Sequence, residues 1–215
     1  MPEKTSTNLY KLSHKNSFII LNFYQKLAKK FGHTHRALGW ASTKSQEKRY
    51  LKIIKTVKNW KNLSVLDVGC GFGDFYDYLQ QYVALKNFSY LGIDYHREFI
   101  HEATLRYPGI NVQNLDFLNY KKKHDIVIAN GSFNVAMPDH KNYFLFALKK
   151  LKSLSKKQCV ITCLSDQTNN KKEKTFYYFS KDELNHICQS LNLDVKIDTH
   201  KINDETVDYI LDISF

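Results

Sequence analysis

Three of the chain's eight glycines, Gly69, Gly71 and Gly73, stand at alternate positions directly after the apolar run Val65-Leu66-Asp67-Val68. A strand that ends in such a turn and feeds a helix brings bare backbone close to a ligand, with the unpaired N–H groups of the helix start behind it. That chemistry is binding rather than bond cleavage. Polar residues recur where the next apolar runs end: Asp94 with Tyr95, Asp116 with Phe117, and Asn130. Open α/β sheets bind ligands outside the carboxyl ends of their strands, so these side chains are expected on one rim. There Asp94 can accept both hydrogen bonds of a ribose diol, and Tyr95 can pack on the face of a base. Asp116 can accept an exocyclic amino group, while the N–H that follows it addresses a ring nitrogen.

Two relatives of this cradle are excluded. Asp74 stands where a dinucleotide fingerprint needs its third glycine, and no Lys followed by Ser or Thr closes the loop as a Walker A motif requires. The pattern of Val65, Leu66, Asp67, Gly69, Gly71 and Gly73, with Cys70 inside it, resembles motif I of the class I SAM-dependent methyltransferases. The resemblance covers residues 64–215. It implies S-adenosyl-L-methionine (SAM) as cofactor and S-adenosylhomocysteine (SAH) as product. It assigns cofactor contacts to Asp67, Gly69, Cys70, Gly71, Gly73, Asp94, Tyr95, Asp116, Phe117 and Asn130, with Asn130 at the mouth facing the sulfonium.

A narrower likeness adds the N-terminal part. Ala129-Asn130-Gly131-Ser132-Phe133-Asn134, together with Gly39-Trp40-x-Ser42-x-x-Ser45-Gln46-x-x-Arg49, resembles a group of bacterial methyltransferases whose N-terminal helices cap the cofactor. By that resemblance the Arg49 guanidinium fork meets the methionyl carboxylate, and Trp40 and Gln46 help to close the lid. Ser132, Phe133 and Asn134, with His33 and His35 of the cap, fall on the substrate side. Asn130-Gly-Ser-Phe133 also compares with the Asn-Pro-Pro-Tyr/Phe motif of enzymes that methylate amide or exocyclic base nitrogens, but Gly131 and Ser132 replace both prolines. A sulfonium methyl is already activated, so the protein has only to align it and keep it dry. An amine acceptor need only arrive unprotonated. A hydroxyl would benefit from a base, for which His140, His33 and His35 are the candidates, with Asn130 beside the point of transfer. The histidines show no paired spacing for a metal.

The elements needed to place these residues can be read from periodicity. Residues 1–15 are polar and without period, as in a flexible lead-in. Helical spacing follows over 17–30 and over 43–59, the second capped by Ser42 or Thr43. From residue 64 strands alternate with helices: strands at 65–68, 88–94, 111–115, 125–130 and 158–164, with helices between them. Residues 165–175 read as an exposed loop, and Ser180 with Glu183 as a capping box. The last strands, 194–200 and 206–214, have no helix between them and should pair antiparallel. The expected fold is therefore α/β, a Rossmann-like seven-stranded mixed sheet with helices on both faces and an N-terminal helical cap. The family resemblance implies strand order 3-2-1-4-5-7-6, with the last strand antiparallel. The domain reading is a basic helical cap over 1–61 and a methyltransferase core over 62–215.

Charge separates the same two parts. The formal net charge is +11, yet residues 1–61 hold 14 Lys or Arg against Glu3 and Glu47, and the remainder is close to neutral. Such asymmetry marks a surface for an anionic partner. At 215 residues, with 43% hydrophobic residues, the chain suits one domain with a sizeable core. No apolar run is long enough for a membrane span and the start lacks a signal-peptide core, so a soluble cytoplasmic protein is expected, with its four cysteines as buried free thiols. The leading functional expectation is methyl transfer to an O or N atom of a small molecule, the basic cap favouring an anionic one. Methylation of RNA or another macromolecule through that cap, and SAM binding without catalysis, are the alternatives.

Overall fold

A computed structural model describes residues 3–83, 87–169 and 173–215 of the chain. Helix α1 (Glu3–Phe31) and helix α2 (Thr43–Thr56) precede the sheet, separated by a 3-10 turn at His35–Leu38. The first helix starts at Glu3, not at residue 17: no Gly or Pro interrupts the chain between Glu3 and Phe31, so the polar stretch simply extends it. Gly32 ends it with φ of 59°, its N–H returning to the Ala28 carbonyl at 2.8 Å. Ser42 caps α2 in a reciprocal box with Ser45.

Seven strands follow: β1 (Leu63–Val68), β2 (Phe88–Asp94), β3 (Val112–Asn114), β4 (His124–Asn130), β5 (Ser155–Leu164), β6 (Asp194–Lys201) and β7 (Val207–Ser214). Four helices lie between them: α3 (Asp74–Val83), α4 (Arg97–Arg106), α5 (His140–Leu154) and α6 (Lys181–Ser190). The strand order is β3-β2-β1-β4-β5-β7-β6, with β7 antiparallel to both its neighbours and the other pairings parallel, as expected. Central strands carry apolar side chains to both faces, which demands helices on both. On one face Leu66, Val68, Val127 and Ala129 meet Phe144, Leu148 and Leu151 of α5 and Leu184 of α6. On the other, Val65, Ile126 and Ile128 meet Ile53 and Ile54 of α2 and Phe75 and Leu79 of α3. Each fully buried aliphatic or aromatic side chain contributes about 1.5–3 kcal/mol, so α2 is anchored as part of a helical layer. Helix α1 lies on the first face through Ile19, Ile20, Phe23 and Tyr24, packed above the carboxyl ends of the strands.

Two local expectations change. Ser180 does accept the Glu183 N–H at 3.1 Å, but the Glu183 carboxylate accepts from the Tyr177 hydroxyl at 2.7 Å instead of turning back to the cap. In the segment read as an exposed loop, Ser165 and Thr168 are buried, because Thr168 exchanges two hydrogen bonds with the backbone of Val207. All four cysteines are free and buried.

Candidate active site

The parallel arrangement brings the carboxyl ends of β1, β2 and β4, with the residues that follow β3, to one cavity of about 760 Å³ beneath α1. Its floor is the glycine turn. The N–H groups of Gly69 and Cys70 both reach the Ile93 carbonyl, at 2.8 and 3.2 Å, which ties the turn to the end of β2. Gly69 has φ of 77°, and a Cβ there would stand 2.5 Å from Ser132 Oγ, which donates to the Val68 carbonyl. Only glycine fits this crossing of two strand ends.

Asp94 is held by the same turn. Its Oδ2 accepts the Gly71 N–H at 2.9 Å and its Oδ1 the His96 N–H at 2.8 Å. Burial raises its pKa, and these backbone donors oppose the rise. Asp116 accepts the Leu118 N–H at 2.9 Å through Oδ1 and the Ser17 hydroxyl of α1 at 3.3 Å through Oδ2. Asn130 Oδ1 accepts from the Thr162 hydroxyl at 2.6 Å, so its amide group is oriented by β5. No protein acceptor meets its Nδ2 among the described residues. Asp67 is 2% exposed and accepts the Tyr90 hydroxyl at 2.7 Å; burial pushes its pKa up to about 7.

Of the sequence candidates, Trp40, Arg49, Asp67, Gly69, Cys70, Gly71, Asp94, Tyr95, Asp116, Phe117, Asn130, Ser132, Phe133 and Asn134 all line this cavity. Arg49 does so as a neutralised cation: its Nε and Nη2 bond both oxygens of Asp208 on β7, at 2.5 and 3.0 Å. The fork expected to meet the methionyl carboxylate is therefore taken up by a protein carboxylate. Trp40 packs against the backbone by its edge, within 2.8 Å of where a Gly131 Cβ would be, with the Arg49 guanidinium 4.9 Å from its ring. Phe133 and Asn134 are mostly core: Phe133 is 2% exposed, and Asn134 Oδ1 accepts the Leu164 N–H at 3.1 Å.

Five candidates lie outside the lining. Gly73 packs against Ile110 and Tyr107, since it faces the helical layer and not the rim. Gln46 donates to the Tyr50 hydroxyl and to Asp74, which makes it a tie between α2 and the start of α3. His33 is exposed and paired with Glu102 at 2.7 Å, and His35 lies 3.4 Å from the Thr43 hydroxyl. His140 is buried under Tyr177, with ring centroids 3.9 Å apart, and burial lowers its pKa to about 4. A buried imidazole separated from the cavity cannot take a proton from a molecule inside it.

Several residues in or behind the cavity wall escaped the sequence reading. Asp208, which lies behind the wall and pairs with Arg49, was a signal in principle, because a buried acid within the apolar run of β7 needs a partner. Phe176 and Tyr178, in an aromatic run after a polar loop, were another. His96 lines the cavity, stacks on Phe99 at 4.0 Å and has a pKa lowered by burial; nothing in its position marked it. Among the described residues no group of three or more His, Cys, Asp or Glu could hold a metal ion.

The donor set fits SAM. Two strand-end carboxylates offer acceptors for a diol and an amino group, and a glycine turn lets backbone approach the chain that joins them. Residues 65–153 match the family model described as a methyltransferase domain. Sheet order, glycine turn and this match together support a class I SAM-dependent methyltransferase. Among its relatives, the Mycobacterium tuberculosis (strain ATCC 25618 / H37Rv) protein named "Putative methyltransferase Rv1506c" is 28% identical over 136 residues, 59% of this chain and 78% of that protein. Among solved structures, magnesium protoporphyrin IX methyltransferase (ChlM) from Synechocystis PCC 6803 with bound SAH superposes with a TM-score of 0.72 at 14% identity, covering 92% of this chain and 98% of that one. The plantazolicin methyltransferase BpumL, in complex with a pentazolic desmethylPZN analog and SAH, gives a TM-score of 0.67 at 14% identity over 97% and 98% of the two chains. At these identities the structures share the fold.

Proposed function

We propose that this enzyme methylates an O or N atom of a small, anionic molecule, and that within residues 1–61 it is α1 and the segment at Leu38–Ala41 that cap the reaction, α2 belonging to the helical layer on the sheet. The observation that carries this reading is the partial cover over the cavity. Helix α1 and the segment at Leu38–Ala41 roof the cavity, and Thr168, Phe176 and Tyr178 close its side. A macromolecular acceptor would call for an open groove, whereas a small one suits a covered chamber. Structural neighbours named for magnesium protoporphyrin IX and plantazolicin agree with an acceptor of limited size.

When bound, SAM supplies a methyl group on a positively charged sulfur, open to in-line displacement by a lone pair. The chain's part is to bind, orient and exclude water. Asp94, fixed by two backbone N–H donors, keeps its remaining lone pairs for the ribose hydroxyls. Asp116 offers the acceptor for the adenine amino group, and Tyr95 lines the same cavity. The Asn130 amide, turned by Thr162, places its Nδ2 donor where the acceptor atom must be aligned. Closure of α1 through Ser17, Phe23 and Tyr24 keeps bulk water from the site.

Labelled SAM supplied with metabolite, protein and RNA fractions tests the proposal. Label entering the metabolite fraction supports it. Label entering only RNA, with binding that weakens steeply as salt rises, replaces it with a nucleic-acid acceptor.

A further inference from the structure

Resting on the methyltransferase reading above, we infer that the acceptor is a small planar aromatic anion, its ring beside Trp40 and Phe176 and its charge at Lys30 and Arg36. Past the strand ends that make the cofactor cradle, the cavity wall changes character. It is built from α1, the turn at Gly39–Ala41 and the loop between β5 and α6, and its broad surfaces are aromatic. The Trp40 indole is backed on one side by Gly131, where an added Cβ would come within 2.8 Å, and carries the Arg49 guanidinium at 4.9 Å. These two contacts seat the ring beside the end of β4. Phe176 packs edge-on to Phe23 of α1, with centroids 5.7 Å apart, and its ring lies over Gly39. Fixed aromatic walls favour a flat conjugated guest, which gains from stacking and edge contacts beyond its burial.

The charge comes from two residues six apart in sequence that converge on one ring. Lys30 Nζ lies 5.1 Å and Arg36 Cζ 4.2 Å from the centre of Phe31, and all three residues line the cavity. Among the described residues neither cation has a carboxylate within ion-pair distance. Other cations near this site differ: Arg49 is neutralised by Asp208, and Arg106 is held by Asp74 and Glu102. Glu173 also lines the cavity and pairs with neither Lys30 nor Arg36. Both cations are exposed at the edge of the cavity, where an anion held inside can be set against them.

The test uses two fluorescent probes that differ by a sulfonate: 1-anilinonaphthalene-8-sulfonate and its neutral parent N-phenyl-1-naphthylamine. Both are titrated into full-length enzyme saturated with SAH. We expect the double variant Lys30→Ala/Arg36→Ala to weaken the sulfonate about tenfold or more and leave the neutral probe unchanged. We expect Trp40→Ala to weaken both. Equal effects of charge removal on the two probes, or no effect of Trp40→Ala and Phe176→Ala, would overturn the inference. So would a double variant that loses SAH affinity in calorimetry and keeps the sulfonate's, because the cations would then serve the cofactor. Calorimetry of wild type with SAH alone separates the layers: no binding sinks the methyltransferase reading itself, whereas binding without discrimination between probes sinks only the aromatic anion.

Discussion

The carboxylate of Asp94 bridges two turns, taking the Gly71 N–H on one oxygen at 2.9 Å and the His96 N–H on the other at 2.8 Å. One side chain thus fixes the glycine loop after β1 to the start of α4 and presents its outer lone pairs to the cavity. Replacing it by alanine removes both the ligand's acceptor and the tie between the turns. Asp94→Ala is expected to weaken SAH binding by about 1–3 kcal/mol, the scale of a lost buried polar partner. Calorimetry with SAH reads this directly, and an unchanged affinity would remove Asp94 from the site.

Trp40 and Gly131 are matched in size. Gly131 has φ of 69°, and a side chain there would strike the indole. Gly131→Ala therefore carries backbone strain of about 1–2 kcal/mol together with displacement of the ring. In a Trp40→Ala background the displacement is absent and only the strain remains. Denaturation of the four proteins of this cycle should give a coupling of about 0.5–3 kcal/mol. Additive costs would mean that the ring does not rest on the strand end.

His140 has the residue type of a base and the position of a core residue. Burial holds its pKa at about 4 against an ordinary 6.5, so its neutral form stabilises the fold above pH 6.5 and that contribution is lost as pH falls toward 4. His140→Phe keeps the stack on Tyr177 and should leave the pH–rate profile of methyl transfer in place. It should also flatten the acid side of the stability profile. A variant that folds but loses the acid limb of the rate profile, the fall in rate as the base is protonated, would restore His140 to the chemistry.

These cases show which features can be read from a linear sequence. The glycine turn and the strand-end acids were legible because each is a local pattern: a strand, a breaker and a polar residue at a fixed offset. Sheet order came from the family resemblance, and the strand order in the structure agrees with it. The roof was less legible. Arg49 looked free to meet an anion because Asp208, its partner, lies 159 positions away on the antiparallel strand. The first half of helix α1, residues 3–15, looked like a lead-in because polar composition resembles flexibility when no breaker marks a boundary. His140 followed the fourth strand closely, yet the loop at Phe176–Phe179 covers it, and aromatic runs do not announce what they cover.

The Arg49–Asp208 pair joins α2 to β7 with side chains 5% and 2% exposed. Removing one partner leaves an unpaired buried charge, so Asp208→Ala should cost about 3–5 kcal/mol. Replacing both, as Arg49→Met/Asp208→Leu, should recover most of that loss. If the double variant is as unstable as the single one, the pair acts through hydrogen bonds to the surrounding backbone and not through charge balance. Urea unfolding of the three proteins decides between these outcomes.

Asp67 gives the clearest dependence on pH. It lies at the end of β1, with burial as the largest influence on its carboxyl, the Tyr90 hydrogen bond pulling the other way and the charge of Asp94 adding to the rise. Its folded pKa of about 7 stands above the unfolded 3.8, so the folded state binds the extra proton between those values. Stability from the neutral carboxyl is therefore complete below pH 3.8 and lost as pH rises through 7. Asp67→Asn keeps an acceptor for the Tyr90 hydroxyl and cannot ionise. The variant should match wild type near pH 4 and gain on it toward pH 8, by on the order of 1.4 kcal/mol for each unit of pKa shift. The histidines whose pKa values burial lowers, His96, His124, His140 and His200, bend both profiles alike and cancel in the difference. Denaturant titrations from pH 5 to 8 give that difference, and parallel curves would show that Asp67 is ionised throughout and shares no proton with Tyr90.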